Sequence, residues 1–266
     1  MYQLKKEQYL KVLPMLKDSE WIFPIARSVI ESQLGGRIMV DDPHNPKTAV
    51  VISQINWMFM FGNASNAIFN SEFRKYISDI LCKEYEYFVW CNLSEDWQNE
   101  LKTMFGDKIK SYPRIPFKFN TAKYLHSKEV FTDLPEGFTI RKIDEVLVKQ
   151  ACELFPGITM FWNDYDNFLK NGIGFCALHD SEVVCVCQSA VNVEGISEID
   201  IYTSEKYRNK GLATHTCSAF IDCCITNGLT PDWDCVEINQ PSYNLAKKLG
   251  FEELQKYPLY FWHKDF

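Results

Sequence analysis

Long apolar runs are missing from this chain of 266 residues, and none approaches the ~20 residues that a membrane-spanning helix needs. The segment 1–17 is amphipathic and charged, without the continuous apolar centre of a secretory signal, so the expectation is a soluble, cytoplasmic protein with no membrane partner. A surplus of positive charge is missing too. Lys and Arg number 28 against 35 Asp and Glu, a net charge of -7, which argues against nucleic acid as a partner because phosphate backbones are held by excess cations. No Cys-x-x-Cys pair and no His-Glu-x-x-His helix occurs, and the five histidines are scattered, so no metal is expected. The ten cysteines sit among apolar neighbours, as in Val183-Val184-Cys185-Val186-Cys187, and read as buried free thiols rather than a disulfide framework.

What is present is length and apolar content enough for two domains: 46% of the residues are hydrophobic, sufficient for two buried cores. The most informative stretch runs from Glu198 to Ala213. Ile199, Ile201 and Thr203 alternate with Glu198, Asp200 and Tyr202 in the period-two pattern of a strand. Beyond Gly211, the residues Leu212, His215, Thr216, Ala219, Phe220 and Cys223 recur at helical spacing. A strand thus enters a helix through a short basic turn, where unpaired N–H groups favour an anion and Gly211 lets a backbone approach closely. Arg208 and Lys210 add full charges there.

The pattern Arg208-x-x-Gly211-x-Ala213 after a strand resembles the pyrophosphate-binding signature of the GCN5-related N-acetyltransferases (GNAT). About thirty residues on, the segment from Asn239 to Phe251 resembles the same family's later motif, an asparagine after a strand, a short helix and then Lys248-Leu249-Gly250-Phe251. The resemblance covers residues ~136 to 266, and the overall layout is similar to bacterial acetyltransferases of the zwittermicin-resistance type. It implies an α/β (α+β) fold in which a mixed, splayed sheet is flanked by helices and the pantetheine arm of acetyl-CoA lies in the splay. The pattern of the residues themselves gives a matching order: strand 138–141, helix 143–154, strands 174–178, 183–191 and 196–203, the Gly211 helix, strand 234–238, a helix near Ser242 and a closing strand 257–263.

The first half carries no obvious motif, yet its elements follow a similar order: helices 5–16 and 24–33, strands 37–40, 49–53 and 56–61, helix 71–82, strand 87–91, helix 95–105 and strand 112–119. Met104-Phe105-Gly106 also rhymes with Lys248-Leu249-Gly250. The expectation is a tandem, with 1–128 a degenerate GNAT-like half or an unrelated α/β accessory domain and 129–266 the acetyltransferase domain. The first half's own turn, Phe61-Gly62-Asn63-Ala64-Ser65-Asn66-Ala67, has no Arg or Lys to meet a pyrophosphate.

By the resemblance, Arg208, Asn209, Lys210, Gly211, Leu212 and Ala213 surround the pyrophosphate, Ile201, Tyr202 and Thr203 pair with the pantetheine amides, and Asn239 and Ser242 contact the cofactor, with Asn239 alternatively capping its helix. Glu198 is the candidate base and Asp200 an acceptor contact, the alternative being solvated or ion-paired strand carboxylates. The family's tyrosine acid falls at Ala246, leaving Tyr243, Ser242 or water as the substitute donor. Phe161, Trp162 and Tyr165 are candidate acceptor walls, or else core. The reading is an acetyl-CoA-dependent N-acetyltransferase acting on a small-molecule amine, the alternative a non-catalytic acyl-CoA sensor. A homodimer is compatible with either.

Overall fold

The computed structural model describes residues 1–16, 23–91 and 93–265. Lys17, the end of the amphipathic segment, lies outside them. The chain divides into two packed units, Met1–Arg114 with Tyr257–Phe266, and Ile115–Lys256.

The first unit opens with β1 (Tyr2–Gln3), a 3-10 turn over Lys6–Val12, α1 (Leu13–Leu16) and α2 (Pro24–Ile30), whose first position is the proline that a helix start tolerates. Strands β2 (Gly36–Val40), β3 (Thr48–Ser53) and β4 (Trp57–Gly62) form an antiparallel meander. Helix α3 (Ala67–Tyr76) continues through a π-helical turn, Ile77–Leu81, into α4 (Cys82–Glu84), so the expected helix 71–82 starts earlier and is distorted midway. Strand β5 (Tyr87–Trp90) pairs parallel with β4 only through Trp57 and Met58. Helix α5 (Glu95–Phe105) is capped by Ser94, carries Glu95 and Asp96 in its first turn and ends at Gly106 with φ +51°. Its Trp97, Leu101 and Met104, one helical face, enter a core with Phe73, Phe88, Trp90 and Tyr260. Strand β6 (Lys110–Phe119) follows. The strand Tyr257–His263 pairs antiparallel with both β5 and the first half of β6, so the closing strand expected for the second half belongs by packing to the first unit.

The second unit takes up residues 115–119 of β6, of which Phe117, Lys118 and Phe119 pair with β12 (Phe251–Glu253). Before β12 the chain forms α6 (Thr121–Lys128), capped by Asn120 and not anticipated from the sequence, then β7 (Phe138–Lys142) and α7 (Val148–Leu154). Helix α7 starts later than the expected 143 because Ile143 N–H donates to Gly174 O and the Asp144 carboxylate accepts from Val146 and Leu147 N–H, a turn that competes with helix. Two short helices, α8 (Gly157–Trp162) and α9 (Tyr165–Asn171), lead to the antiparallel strands β8 (Gly174–His179), β9 (Glu182–Val193) and β10 (Ile196–Thr203). Then come α10 (Leu212–Thr226), β11 (Thr230–Val236), α11 (Gln240–Lys248), β12 and finally the strand Tyr257–His263, labelled β13. Strand β11 sits four residues earlier than expected at its start, since Gly228 turns the chain at φ +68° and Thr230 N–H at once bonds Gly195 O. One face of this sheet buries Phe220, Cys217, Trp233 and Phe251 with α10 and α11, and the other buries Ile158, Trp162 and Phe168 under α7 to α9. No cysteine among the described residues is disulfide-bonded.

Candidate active site

The turn joining β10 to α10 has a 3-10 turn at Glu205–Tyr207, extended backbone at Arg208 and left-handed backbone at Asn209 (φ +63°) and Gly211 (φ +79°). Gly211 is the N-cap, and no side chain caps the helix. The first N–H groups of a helix have no partner within it, so the positive end of this fifteen-residue helix opens outward. A Cβ on Gly211 would meet nothing within 4 Å, so the glycine is needed for its backbone angle and the space before the helix is clear. Leu212 is buried and Ala213 packs beside the same small core, so these two residues offer main chain rather than side chain to the turn's outer side. Arg208 is positioned from behind. Its Nε donates to Thr203 O at 3.2 Å, Glu205 lies 3.5 Å from a terminal nitrogen, and its guanidinium stands 5.9 Å from the Tyr202 ring centre. Lys210 is exposed.

Strands β10 and β11 pair in parallel only at Ile196/Thr230, Ser197/Pro231 and Glu198/Asp232. Beyond Glu198 they part, and residues 199–203 of β10 have no ladder partner on that side among the described residues. The splay thus runs from Glu198 toward the open cap at Gly211, along the backbone of Ile201, Tyr202 and Thr203. A register shift against β9 falls between Ser197 and Ile199, at the splay's closed end. These residues suit the elongated donor that the sequence implies, with amide-bearing backbone along the split and an uncapped helix at its end.

Alternation sends Ile199 and Ile201 to the α10 side, and Thr203 Oγ1 bonds Cys185 Sγ there. Glu198, Asp200 and Tyr202 take the opposite face. Tyr202 stacks on Phe155, with ring centres 5.4 Å apart and planes 9° from parallel. Asp200 stands opposite Gln188 of β9, beneath Gly157, where a Cβ would collide with Gln188 Nε2 and approach Asp200 Oδ2 to 3.0 Å. Burial pushes the Asp200 carboxyl up to about 7, against the Ile201 N–H and Gln188 amide that favour its charged form. Asp232, directly across from Glu198, is pushed up to about 6 by burial, opposed by the Trp233 N–H.

Among the aromatic candidates, Trp162 proves to be core. It is 4% exposed, and its indole N–H donates to Ser189 O at 2.8 Å, leaving no face for an acceptor. Phe161 and Tyr165 remain half-buried at the edge of the same cluster. Tyr243 packs its ring 5.7 Å from Phe117 and donates its hydroxyl to Glu253 Oε2 at 2.9 Å, which raises its pKa and keeps it protonated. Ala246 is fully buried. Asn239 caps α11 by accepting from Ser242 N–H, and Ser242 Oγ accepts from the Trp233 indole at 3.1 Å. Gln188, Gly157 and Asp232 were not singled out from the sequence. Strand alternation of Asp232 with Trp233 and Cys235 was a usable signal for Asp232, whereas Gln188 and Gly157 acquire meaning only through packing.

A family model described as GNAT acetyltransferase matches residues 17–260. Over 262 residues, 98% of each chain, the sequence is 28% identical to the uncharacterized N-acetyltransferase YdfB of Bacillus subtilis (strain 168). A GCN5-related N-acetyltransferase-like protein from Streptococcus suis 89/1591 has a similar structure, with TM-score 0.74 and 26% identity over 97% of this chain and 99% of that one. A tandem GNAT protein from the clavulanic acid biosynthesis pathway shares the fold, with TM-score 0.68 and 8% identity over 97% and 94% of the two chains. The expected mixed, splayed sheet flanked by helices is the fold observed.

Proposed function

Because this acyltransferase belongs to the GNAT acetyltransferase family, we propose that it moves the acetyl group of acetyl-CoA to the amine of a small molecule, by direct attack while both are bound. The observation that carries the reading is the split between β10 and β11, which ends at an uncapped helix with clear space before Gly211. In this reading the pyrophosphate lies on the N–H groups around Gly211, Leu212 and Ala213, with Asn209 shaping the turn and Arg208 and Lys210 supplying charge. Ile201, Tyr202 and Thr203 hold the pantetheine amides by main chain, and the α11 start at Asn239 and Ser242 borders the far side.

Attack needs a neutral amine, and an aliphatic ammonium has a pKa near ~10. Glu198 and Asp200 lie on the face of β10 turned toward α8 and are the groups to take that proton. Asp200, raised to about 7, is matched to proton transfer near neutral pH. The amine nitrogen bonds to the carbonyl carbon of the thioester, the C–S bond breaks, and the departing thiolate takes a proton from Tyr243 or from water. Phe155, Phe161 and Tyr165 border the acceptor. Acetyl-CoA in excess should raise the melting temperature where ATP does not, and an amine panel should then release free thiol. A shift with acetyl-CoA but no thiol release from any amine would return the acyl-CoA sensor. No shift would remove the pyrophosphate assignment.

A further inference from the structure

Two carboxylates on one face of the split stand without a cation from the protein. Asp200 and Asp232 form no ion pair among the described residues, and in each the ionised form is opposed by burial. Half-buried charge is costly unless an opposite charge meets it. The two share a face because Asp232 is the register partner of Glu198 and Asp200 lies two residues beyond it on β10. Strand spacing and rise put their Cα atoms about 8 Å apart. Behind Asp200, Gln188 is 0% exposed, and neither its Nε2 nor its Oε1 completes a hydrogen bond of normal geometry, although the amide is close enough to favour the carboxylate. A fully buried amide with capacity left over, facing the carboxylate, marks a polar recess completed from outside the chain. Gly157 roofs it, since any side chain there collides with Gln188.

Resting on the amine reading above, we propose that the acceptor is a dication, an unbranched primary amine with a second ammonium group, held between Asp200 backed by Gln188 and Asp232 across the split. A chain of four or five carbons spans the two carboxylates at the spacing of the strands. Asp232 is in this account a specificity residue: it tells a diamine from a monoamine of the same length.

The test is kcat/KM by thiol release for three four-carbon compounds, putrescine, butylamine and γ-aminobutyrate, with saturating acetyl-CoA. Putrescine should exceed butylamine by about tenfold or more, the worth of one charge-assisted contact. γ-Aminobutyrate, which sets a carboxylate against Asp232, should be slower than butylamine. Asp232→Asn should bring putrescine and butylamine close to parity, and Asp232→Glu should keep most of the preference. If Asp232→Asn does not fold, the wild-type series decides alone. Butylamine turned over as fast as putrescine overturns the dication and leaves the amine reading standing, as does a preference that survives Asp232→Asn. Silence from both, and from a panel of aromatic and branched amines, brings down the amine reading and this inference with it.

Discussion

At the end of β4 the chain turns into α3 through residues 63–66, and at the end of β10 it turns into α10 through residues 204–211. Both corners follow an antiparallel meander, and the last strand of each meander pairs with a parallel neighbour only over its own first residues, Trp57 and Met58 in β4 and Ile196 to Glu198 in β10. The difference lies in what occupies the helix end. At α3 the Asn66 side chain caps Phe69 N–H, and its own amide reaches Asp41, whose carboxylate also accepts from Lys47 and Thr48 N–H. Gly62 is left-handed like Gly211, but a Cβ there would collide with Lys47 O. The first corner is closed by its own polar groups, including a carboxylate where an incoming anion would need a cation. The second has no side-chain cap, and its glycine faces clear space. Equivalent architecture therefore yields a self-satisfied helix start in one unit and a ligand-ready one in the other.

Converting the open corner to the closed kind should have the largest effect. Gly211→Asp places a carboxylate at the helix start and has room for its side chain. We expect acetyl-CoA affinity to fall by at least ~3 kcal/mol, read by isothermal titration, with the unliganded melting temperature barely moved, because the new side chain can cap the helix while strained at φ +79°. Unweakened binding would mean that the α10 start does not hold the anion. Arg208→Ala, which removes charge and leaves the cap open, should cost about 1.5–3 kcal/mol of the same affinity.

How far these corners are legible in sequence depends on how local their causes are. Strand β10 and helix α5 fall at the expected residues, and the cap at Gly211 follows from alternation, helical spacing and one glycine, all between residues 198 and 223. Trp162 defeats that reasoning because its place is set by Ser189, twenty-seven positions away. The recess of Asp200, Gln188 and Gly157 draws on three separate elements, so no single window of sequence displays it. The start of α7 was readable in principle, since an aspartate just before a helical run commonly turns the chain first.

A smaller effect separates the corners by pH. Burial raises Asp200 to about 7, so the folded chain holds that proton more tightly than the unfolded one. Its contribution to stability is full below a pKa near ~4 and is lost as pH rises through about 7. Asp200→Asn should therefore gain about 1–2 kcal/mol relative to wild type on going from pH 5 to 8, measured by urea unfolding. A constant difference across that range would mean that the carboxylate is not desolvated. The smallest effect belongs to the closed corner: Asn66→Ala should cost about 1 kcal/mol of stability and leave acetyl-CoA affinity untouched. A change in affinity would show that the first unit takes part in binding the donor.

The interleaving of β6 and β13 bears on how the chain is made. A ribosome completes β1 to β5 and α5 long before it reaches Tyr257, yet the strand paired with both β5 and the start of β6 is that last one. The first unit therefore emerges with a vacancy in its sheet, its Phe88 and Trp90 strand exposing unpaired backbone on one edge until β13 arrives. Synthesis order and folding order are decoupled. Production of the chain as two separate halves cut near residue 128 would leave that edge open permanently, and such a fragment is expected to associate through it.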